Sequence, residues 1–291
     1  MRRSILFMPG NNAGMLLNAD HLGADGIILD LEDAVSPFEK DSARILVRNA
    51  MRTLGYAKSD VIVRVNSLDS PFYQADLDLL VPLRPAMIMP PKVSNAADVL
   101  KFDGYISDIE ASHGIPNGTI KLMPLIETAL GVENAFPIAS ASTRVCAVLL
   151  GGEDLTADLC CKRTKGGNEI AYSRSRIVCA CRAAGIDCYD TPFTDVDDLS
   201  GLQVDVQYAR SLGFTGKSAI SPRHVSIIND IFSPTQADIA YASEVLATIR
   251  EAKAQGKGVV SLRGKMIDAP IVARANRVIA DARNLGVHID E

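Results

Sequence analysis

Lys121-Leu122-Met123-Pro124-Leu125-Ile126-Glu127 and Val145-Cys146-Ala147-Val148-Leu149-Leu150-Gly151-Gly152-Glu153-Asp154 are two largely apolar runs that each stop at an acid. Short unbroken apolar runs bounded by turn residues read as strands buried on both faces, the pattern of a parallel sheet covered by helices. A third run, Gly26-Ile27-Ile28-Leu29, stops at Asp30-Leu31-Glu32-Asp33. Carboxylates gathered at the carboxyl ends of parallel strands serve no packing purpose. They are where a hard divalent cation binds and where barrel enzymes place their chemistry.

Working outward, the runs at 4–8, 26–29, 61–65, 86–89, 121–126, 145–150, 186–189 and 217–220 give eight candidate strands. Amphipathic stretches such as 40–54, 95–112 and 171–184 lie between them. This alternation predicts an α/β fold with a parallel sheet, and eight units predict a closed (β/α)8 TIM barrel. A doubly wound sheet is the rival, but no G-x-G-x-x-G follows the first run. The barrel domain is expected over 1–230 and a separate helix-hairpin-helix module over 231–291. In that module Ser233-Pro234-Thr235-Gln236 reads as a helix start with Ser233 at the cap, and Ile239, Ala242, Leu246 and Ile249 recur at helical spacing. Gly256 is expected to end this helix. Residues 259–267 read as a hairpin, and a last helix is expected from near Pro270 to Gly286.

The bulk numbers exclude some functions. With 47% hydrophobic residues and a net charge of -5, the chain supports a large core and offers no basic face to nucleic acid or anionic membrane. No apolar run approaches the ~18 residues of a membrane span. The start, Met1-Arg2-Arg3-Ser4-Ile5-Leu6-Phe7-Met8-Pro9-Gly10, has an apolar part too short for a signal peptide. The six cysteines form no C-x-x-C pair, which points to a reduced, cytoplasmic protein.

Glu127 and Asp154 follow consecutive strands and can converge at one mouth; with waters and a chelating substrate they would complete a magnesium site. Capping or pairing with a lysine is the alternative for each, but two on neighbouring strands, with Asp30, Glu32 and Asp33 on a third, favour metal. Glu32 and Asp33 could be ligands, could hold the metal's waters, or could cap the helix from Lys40; holding waters is preferred. Arg64, inside Val61-Ile62-Val63-Arg64-Val65-Asn66, is costly in a strand unless paired. Its fork suits a substrate carboxylate, and a structural ion pair with one of the acids would place it at the same mouth. Pro9 and Gly10 begin a loop that could bind an anion or simply turn. Gly152, after Gly151, could let a ligand approach or serve a tight turn. Lys92 after Pro90-Pro91 could be a Schiff-base lysine, though solvated strand-end lysines are commoner. Asp268, before Ala269-Pro270, reads as a helix N-cap.

At these residues the chain resembles the HpcH/HpaI aldolase superfamily, which includes citrate lyase β-subunits and malyl-, citramalyl- and citryl-thioester lyases. The resemblance rests on Arg3-Ser4-Ile5-Leu6-Phe7-Met8-Pro9-Gly10, Asp30-Leu31-Glu32-Asp33-Ala34-Val35, Arg64-Val65-Asn66, Ile126-Glu127-Thr128, Gly152-Glu153-Asp154-Leu155, Gly213-Phe214-Thr215-Gly216-Lys217 and Gly264-Lys265-Met266-Ile267-Asp268, in family order along the whole chain. Two stretches pull toward the citrate lyase branch: 163–175, with Tyr172-Ser173-Arg174-Ser175, and Gly258-Val259-Val260-Ser261-Leu262. One departure is Ile220-Ser221-Pro222, where many members have Ile-His-Pro; that branch also tends to lack the histidine.

The resemblance implies a TIM barrel with a C-terminal lid and oligomerisation segment, Mg²⁺ on Glu127 and Asp154, and Arg64 on the oxo-acid carboxylates. It also implies that Asp268 is an acid–base residue given to an adjacent subunit of a homotrimer or hexamer. The expected reaction is retro-Claisen cleavage of a 3-hydroxy-acyl thioester, foremost citryl thioester, carried on CoA or on a phosphopantetheinyl carrier protein. Citrate lyase α and γ subunits are then expected partners. Malyl- or citramalyl-CoA lyases or thioesterases, and metal-dependent aldolases on free oxo-acids, are the alternatives.

Overall fold

The apolar runs form strands, with one interruption that shows how the sheet is built. The computed structural model describes residues 1–254, 260–287 and 289. Nine short strands make one wholly parallel sheet: β1 (Ser4–Pro9), β2 (Gly26–Asp30), β3 (Asp60–Arg64), β4 (Met87–Met89), β5 (Lys121–Leu122), β6 (Leu125–Ile126), β7 (Ala147–Leu150), β8 (Asp187–Asp190) and β9 (Gly216–Ala219). Their order is β5-β4-β3-β2-β1-β9-β8-β7-β6. The expected strand 121–126 is therefore two, parted at Met123-Pro124, because Pro124 has no N–H to give to a ladder.

Those two halves are the ends of the sheet order, yet they are one stretch of chain. On one side Met123 N–H donates to the Ile88 carbonyl (2.9 Å) and Leu125 N–H to that of Pro90 (2.9 Å). On the other, Leu149 N–H reaches the Pro124 carbonyl (3.1 Å) and Gly151 N–H that of Ile126 (2.9 Å). The sheet thus curls back on itself. Its concave side packs Ile5, Ile28, Ile62, Met87, Met89, Met123, Leu125, Ala147, Leu149 and Tyr189 into one core. The alternate residues Leu6, Ile27, Leu29, Val63 and Ile88 are fully buried as well, so both faces are covered and the runs need no polar alternation.

The helices follow local rules. Lys40–Leu54 buries Ala43, Arg44, Val47 and Ala50 at three- and four-residue spacing and ends at Gly55 in the left-handed region. Ala96–Ser112 starts in a capping box between Asn95 and Asp98. Ala171–Ala184 stops at Gly185, again left-handed.

Contacts divide the chain into Arg2–Asn229 and a second unit, Met1 with Asp230–Glu291. Within the latter, helices Gln236–Ala254 and Ala269–Asn284 flank an antiparallel hairpin of β10 (Val260–Leu262) and β11 (Lys265–Ile267). Ile239, Ala242 and Val245 pack with Ala275, Ile279 and Ala282. The first helix begins later than expected. Its capping pair is Thr235 and Asp238, not Ser233 and Gln236: Thr235 Oγ1 accepts from Asp238 N–H (3.1 Å) and Asp238 accepts from Thr235 N–H (3.0 Å). The shorter, charged Asp238 side chain also suits the positive helix start. Gly256, Gly258 and Val259 lie outside the described residues.

Candidate metal centre and active site

Strand register decides which side chains meet. Asp30 pairs with Arg64 between β2 and β3, Arg64 with Met89 between β3 and β4, and Ile126 with Leu150 between β6 and β7. The residues that follow, Glu127 and Gly151, leave the sheet side by side. A cavity of about 430 Å³ opens at this end and is lined by Phe7, Asp30, Asp33, Arg64, Glu127 and Asp154, among others. The metal, arginine and acidic-loop residues expected from the sequence, except Glu32, all line it; Glu32 reaches it through Arg64 and Lys92.

Arg64 is the hub. It is 7% exposed, and its Nε (2.7 Å) and Nη2 (2.6 Å) fork onto Asp30. Its Nη1 lies 3.1 Å from Glu32 Oε2 and 3.3 Å from Asp33 Oδ2. The Phe7 ring sits beneath the guanidinium, 5.2 Å from centroid to Cζ. Burial works against this charge, but Asp30 more than offsets it and holds the guanidinium protonated. With five N–H donors, Arg64 keeps one Nη2 hydrogen beyond these contacts. The ion-pair reading is therefore correct, and it coexists with a single donor for a ligand. Asp30 is 1% exposed, so Arg64→Met leaves a buried carboxylate without its cation, held by the Glu32 and Ala34 N–H groups. A loss of ~3–5 kcal/mol in urea unfolding is expected; a loss under ~1 kcal/mol would show that Asp30 does not depend on Arg64.

Lysines organise the rest. Lys40 Nζ donates to the carbonyls of Leu31 (2.8 Å) and Glu32 (2.7 Å), which fixes the acidic loop rather than leaving it to cap the helix. Lys92 Nζ lies 2.7 Å from Glu32 Oε1, and this hydrogen bond raises its pKa. A raised pKa is opposite to what a Schiff-base lysine needs. Lys92 also has φ 54, a left-handed conformation rare for residues with a Cβ. It supplies the first backbone N–H after β4, since Pro90 and Pro91 have none, and that N–H donates to Glu127 Oε1 (2.8 Å).

Glu127 is 3% exposed and bonds to that backbone N–H rather than to a cation. Burial, then repulsion from Asp154, pushes its pKa up to about 8. Burial also raises Glu32, while Asp33 is held low by Glu32, Arg64 and Lys92 against its own burial. The cavity lining carries the acids Asp30, Asp33, Glu127, Glu153 and Asp154 against the single cation Arg64, a balance that favours a bound cation. Among the described residues no three His, Cys, Asp or Glu side chains form a ready cage. Two carboxylates with waters and substrate oxygens are what Mg²⁺ uses, so the donor set fits.

The glycines have other tasks than expected. A Cβ on Gly151 would stand 2.7 Å from Glu127 Cβ and Oε2, so Gly151 makes room for that carboxylate. Gly152 lines the cavity, but its N–H donates to Thr191 Oγ1 (2.9 Å). Pro9 lines the cavity too, whereas Gly10 is buried with its N–H on the Asp30 carbonyl (2.8 Å) and has none left for an anion. Asp268, in the second unit, accepts Ile271 N–H (3.1 Å) and is the N-cap of Ala269–Asn284. Thr191 and the Lys92 backbone are the site residues that sequence reading did not single out; Asp30 was among its strand-end acids, and the structure adds its fork onto Arg64.

Three comparisons bear on this site. The family model described as HpcH/HpaI aldolase/citrate lyase matches residues 3–222. The citrate lyase subunit beta of Leuconostoc mesenteroides subsp. cremoris is 45% identical over 287 residues, 98% of this chain and 95% of that protein. An L-malyl-CoA/beta-methylmalyl-CoA lyase of Cereibacter sphaeroides is 34% identical over 96% of this chain and 94% of its own. Among solved structures, protein CitE from Mycobacterium tuberculosis in complex with magnesium, acetoacetate and coenzyme A is similar at TM-score 0.78 and 26% identity, covering 97% of this chain and 98% of that one.

Proposed function

Since this chain belongs to the HpcH/HpaI aldolase/citrate lyase family, we propose that it cleaves a citryl thioester to oxaloacetate and an acetyl thioester, with Mg²⁺ on Glu127 and Asp154. It is a lyase homologous to citrate lyase β subunits, and a relative of known structure carries magnesium and coenzyme A. The observation that carries the reading is that Glu127, directly after β6, and Asp154, in the first turn of the helix after β7, line one acidic cavity.

Mg²⁺, when bound, supplies Lewis-acid polarisation of the substrate's carbinol and carboxylate oxygens. Arg64 offers its remaining Nη2 hydrogen to a substrate carboxylate and, clamped by Asp30, cannot swing away from it. Glu32 and Asp33, fixed through Arg64, Lys40 and Lys92, order the waters at the mouth. The carbinol hydroxyl loses its proton as its carbon becomes the oxo group, and breaking the C–C bond leaves the electron pair on the carbon next to the thioester, which must gain a proton. Asp268, entering as a carboxylate, takes the first proton and returns it to that carbon. In this reading the eight strand positions form a closed (β/α)8 barrel over 1–230, and 231–291 is a lid that brings Asp268 to a mouth within a trimer or hexamer. The carrier is CoA or a phosphopantetheinyl protein, the latter bringing α and γ subunits as partners.

Gly151→Ala tests the metal geometry. Its methyl group displaces the Glu127 carboxylate, and calorimetry is expected to show Mg²⁺ binding at least ~10-fold weaker with the fold kept; an unchanged Kd would contradict the placement. The function is tested by oxaloacetate release from citryl-CoA, coupled to malate dehydrogenase, with Mg²⁺ and with EDTA. Mg²⁺-dependent release is expected. Activity only on malyl- or citramalyl-CoA would keep the site and change the substrate; no activity on any of the three would overturn the reading.

A further inference from the structure

Two motifs remain without a task at the cavity: Tyr172-Ser173-Arg174-Ser175 and Gly213-Phe214-Thr215-Gly216-Lys217. They meet behind β8 and β9, on the face of the sheet covered by helices Ala171–Ala184 and Leu199–Leu212. Arg174, Asp190 and Lys217 are fully buried, and Asp205 is nearly so. Arg174 forks onto Asp190 through Nε and Nη2, both at 2.9 Å, and reaches Asp205 (2.7 Å). Lys217 Nζ lies 2.6 Å from Asp190 and 2.7 Å from Asp205. Two cations and two acids thus neutralise one another. Such a buried cluster is weak evidence for stability, because desolvating four charges consumes most of their attraction. What it does do is fix geometry.

The fixed element is the residue after Asp190. Lys217 Nζ donates to the Thr191 carbonyl (2.6 Å), and Ser218 Oγ donates to that of Asp190 (2.8 Å). Thr191 is fully buried, and its Oγ1 accepts the N–H of Gly152, the first residue of helix Gly152–Asp158. A Cβ on Gly152 would lie 2.7 Å from that oxygen, so the helix start is pressed against Thr191 as closely as a glycine allows. Asp154 stands two residues further along.

We propose that Thr191, held by the buried Lys217–Asp190–Arg174 cluster, is a positioning residue that fixes the Gly152 helix start and thereby the Asp154 carboxylate. This rests on the reading of Asp154 as a metal ligand. Thr191→Val keeps the shape and removes the acceptor, whereas Thr191→Ser keeps the hydroxyl.

Two readouts are taken on the full chain. In metal-free protein, hydrogen exchange over 151–155 is expected to accelerate about tenfold in Thr191→Val and to stay as wild type in Thr191→Ser. By calorimetry, Mg²⁺ binding is expected to weaken about tenfold in the valine variant and to return with serine. Should Thr191→Val not fold, Thr191→Ala reads the same loss. Unchanged exchange at 151–155, or a Kd within twofold of wild type, overturns the proposal. A uniform rise in exchange across the chain with unaltered Mg²⁺ binding marks a structural role only and also overturns it. Asp154→Asn is the control: if it binds Mg²⁺ like wild type, the ligand assignment fails, and the role of Thr191 toward the metal fails with it, whatever the exchange shows.

Discussion

Glu127→Gln is expected to stabilise the metal-free protein at alkaline pH while removing its response to Mg²⁺. The unfolded chain releases the Glu127 proton near 4.5, and the folded chain keeps it until about 8. Between these values the native state binds more protons than the unfolded state, so stability falls as pH rises. The full penalty is present above about pH 8 and absent below 4.5. At 1.36 kcal/mol per unit it is on the order of 5 kcal/mol. Glutamine keeps an oxygen for the Lys92 N–H and carries no charge to bury. The stability difference between variant and wild type in EDTA should therefore be small at acid pH, grow through neutrality and level off beyond pH 8. Comparing the two proteins cancels the titrating groups remote from Glu127. Saturating Mg²⁺ should raise the wild-type Tm, because it binds only the folded state, and leave the variant where it was. A flat difference across pH, or a variant that Mg²⁺ still protects, would contradict the account of Glu127.

Asp268→Asn separates two tasks of one side chain. Asp268 Oδ1 accepts Ile271 N–H at the start of Ala269–Asn284. Asparagine caps a helix as well as aspartate does, so unfolding should change by less than ~0.5 kcal/mol. It cannot donate and recover a proton as a carboxyl group can. Turnover of the thioester should then fall by about 10²–10⁴, the usual size of a general acid–base contribution, with Mg²⁺ affinity unchanged. Equal turnover in variant and wild type would leave Asp268 with capping alone.

The acids at the mouth were readable because parallel strands buried on both faces leave long apolar runs, and the polar residues within a few positions of each run's end mark the mouth. Register then did what spacing could not: it set Asp30 beside Arg64 and Glu127 beside Gly151. Partner choice among Asp30, Glu32 and Asp33 depends on backbone placement to a fraction of an ångström, so Arg64's engagement with all three had no sequence signature. The left-handed Lys92 was invisible for a related reason, since a glycine would advertise that conformation and a lysine does not. Thr191 lies one residue past the first polar residue after the run 186–189, Asp190, which is committed to Arg174 and Lys217. In the second unit, Ser233 with Gln236 and Thr235 with Asp238 both satisfy the capping pattern, and only the structure chooses between them. Asp268 was legible as a cap from its neighbours, and its chemical role came from family resemblance alone.

The most direct test of the central claim is crystallographic. With Mn²⁺ in place of Mg²⁺, an anomalous difference map is expected to show one strong peak at the cavity, within coordination distance of both Glu127 and Asp154. A map without density between those two carboxylates, or with its peak on Glu32 and Asp33 instead, would contradict it.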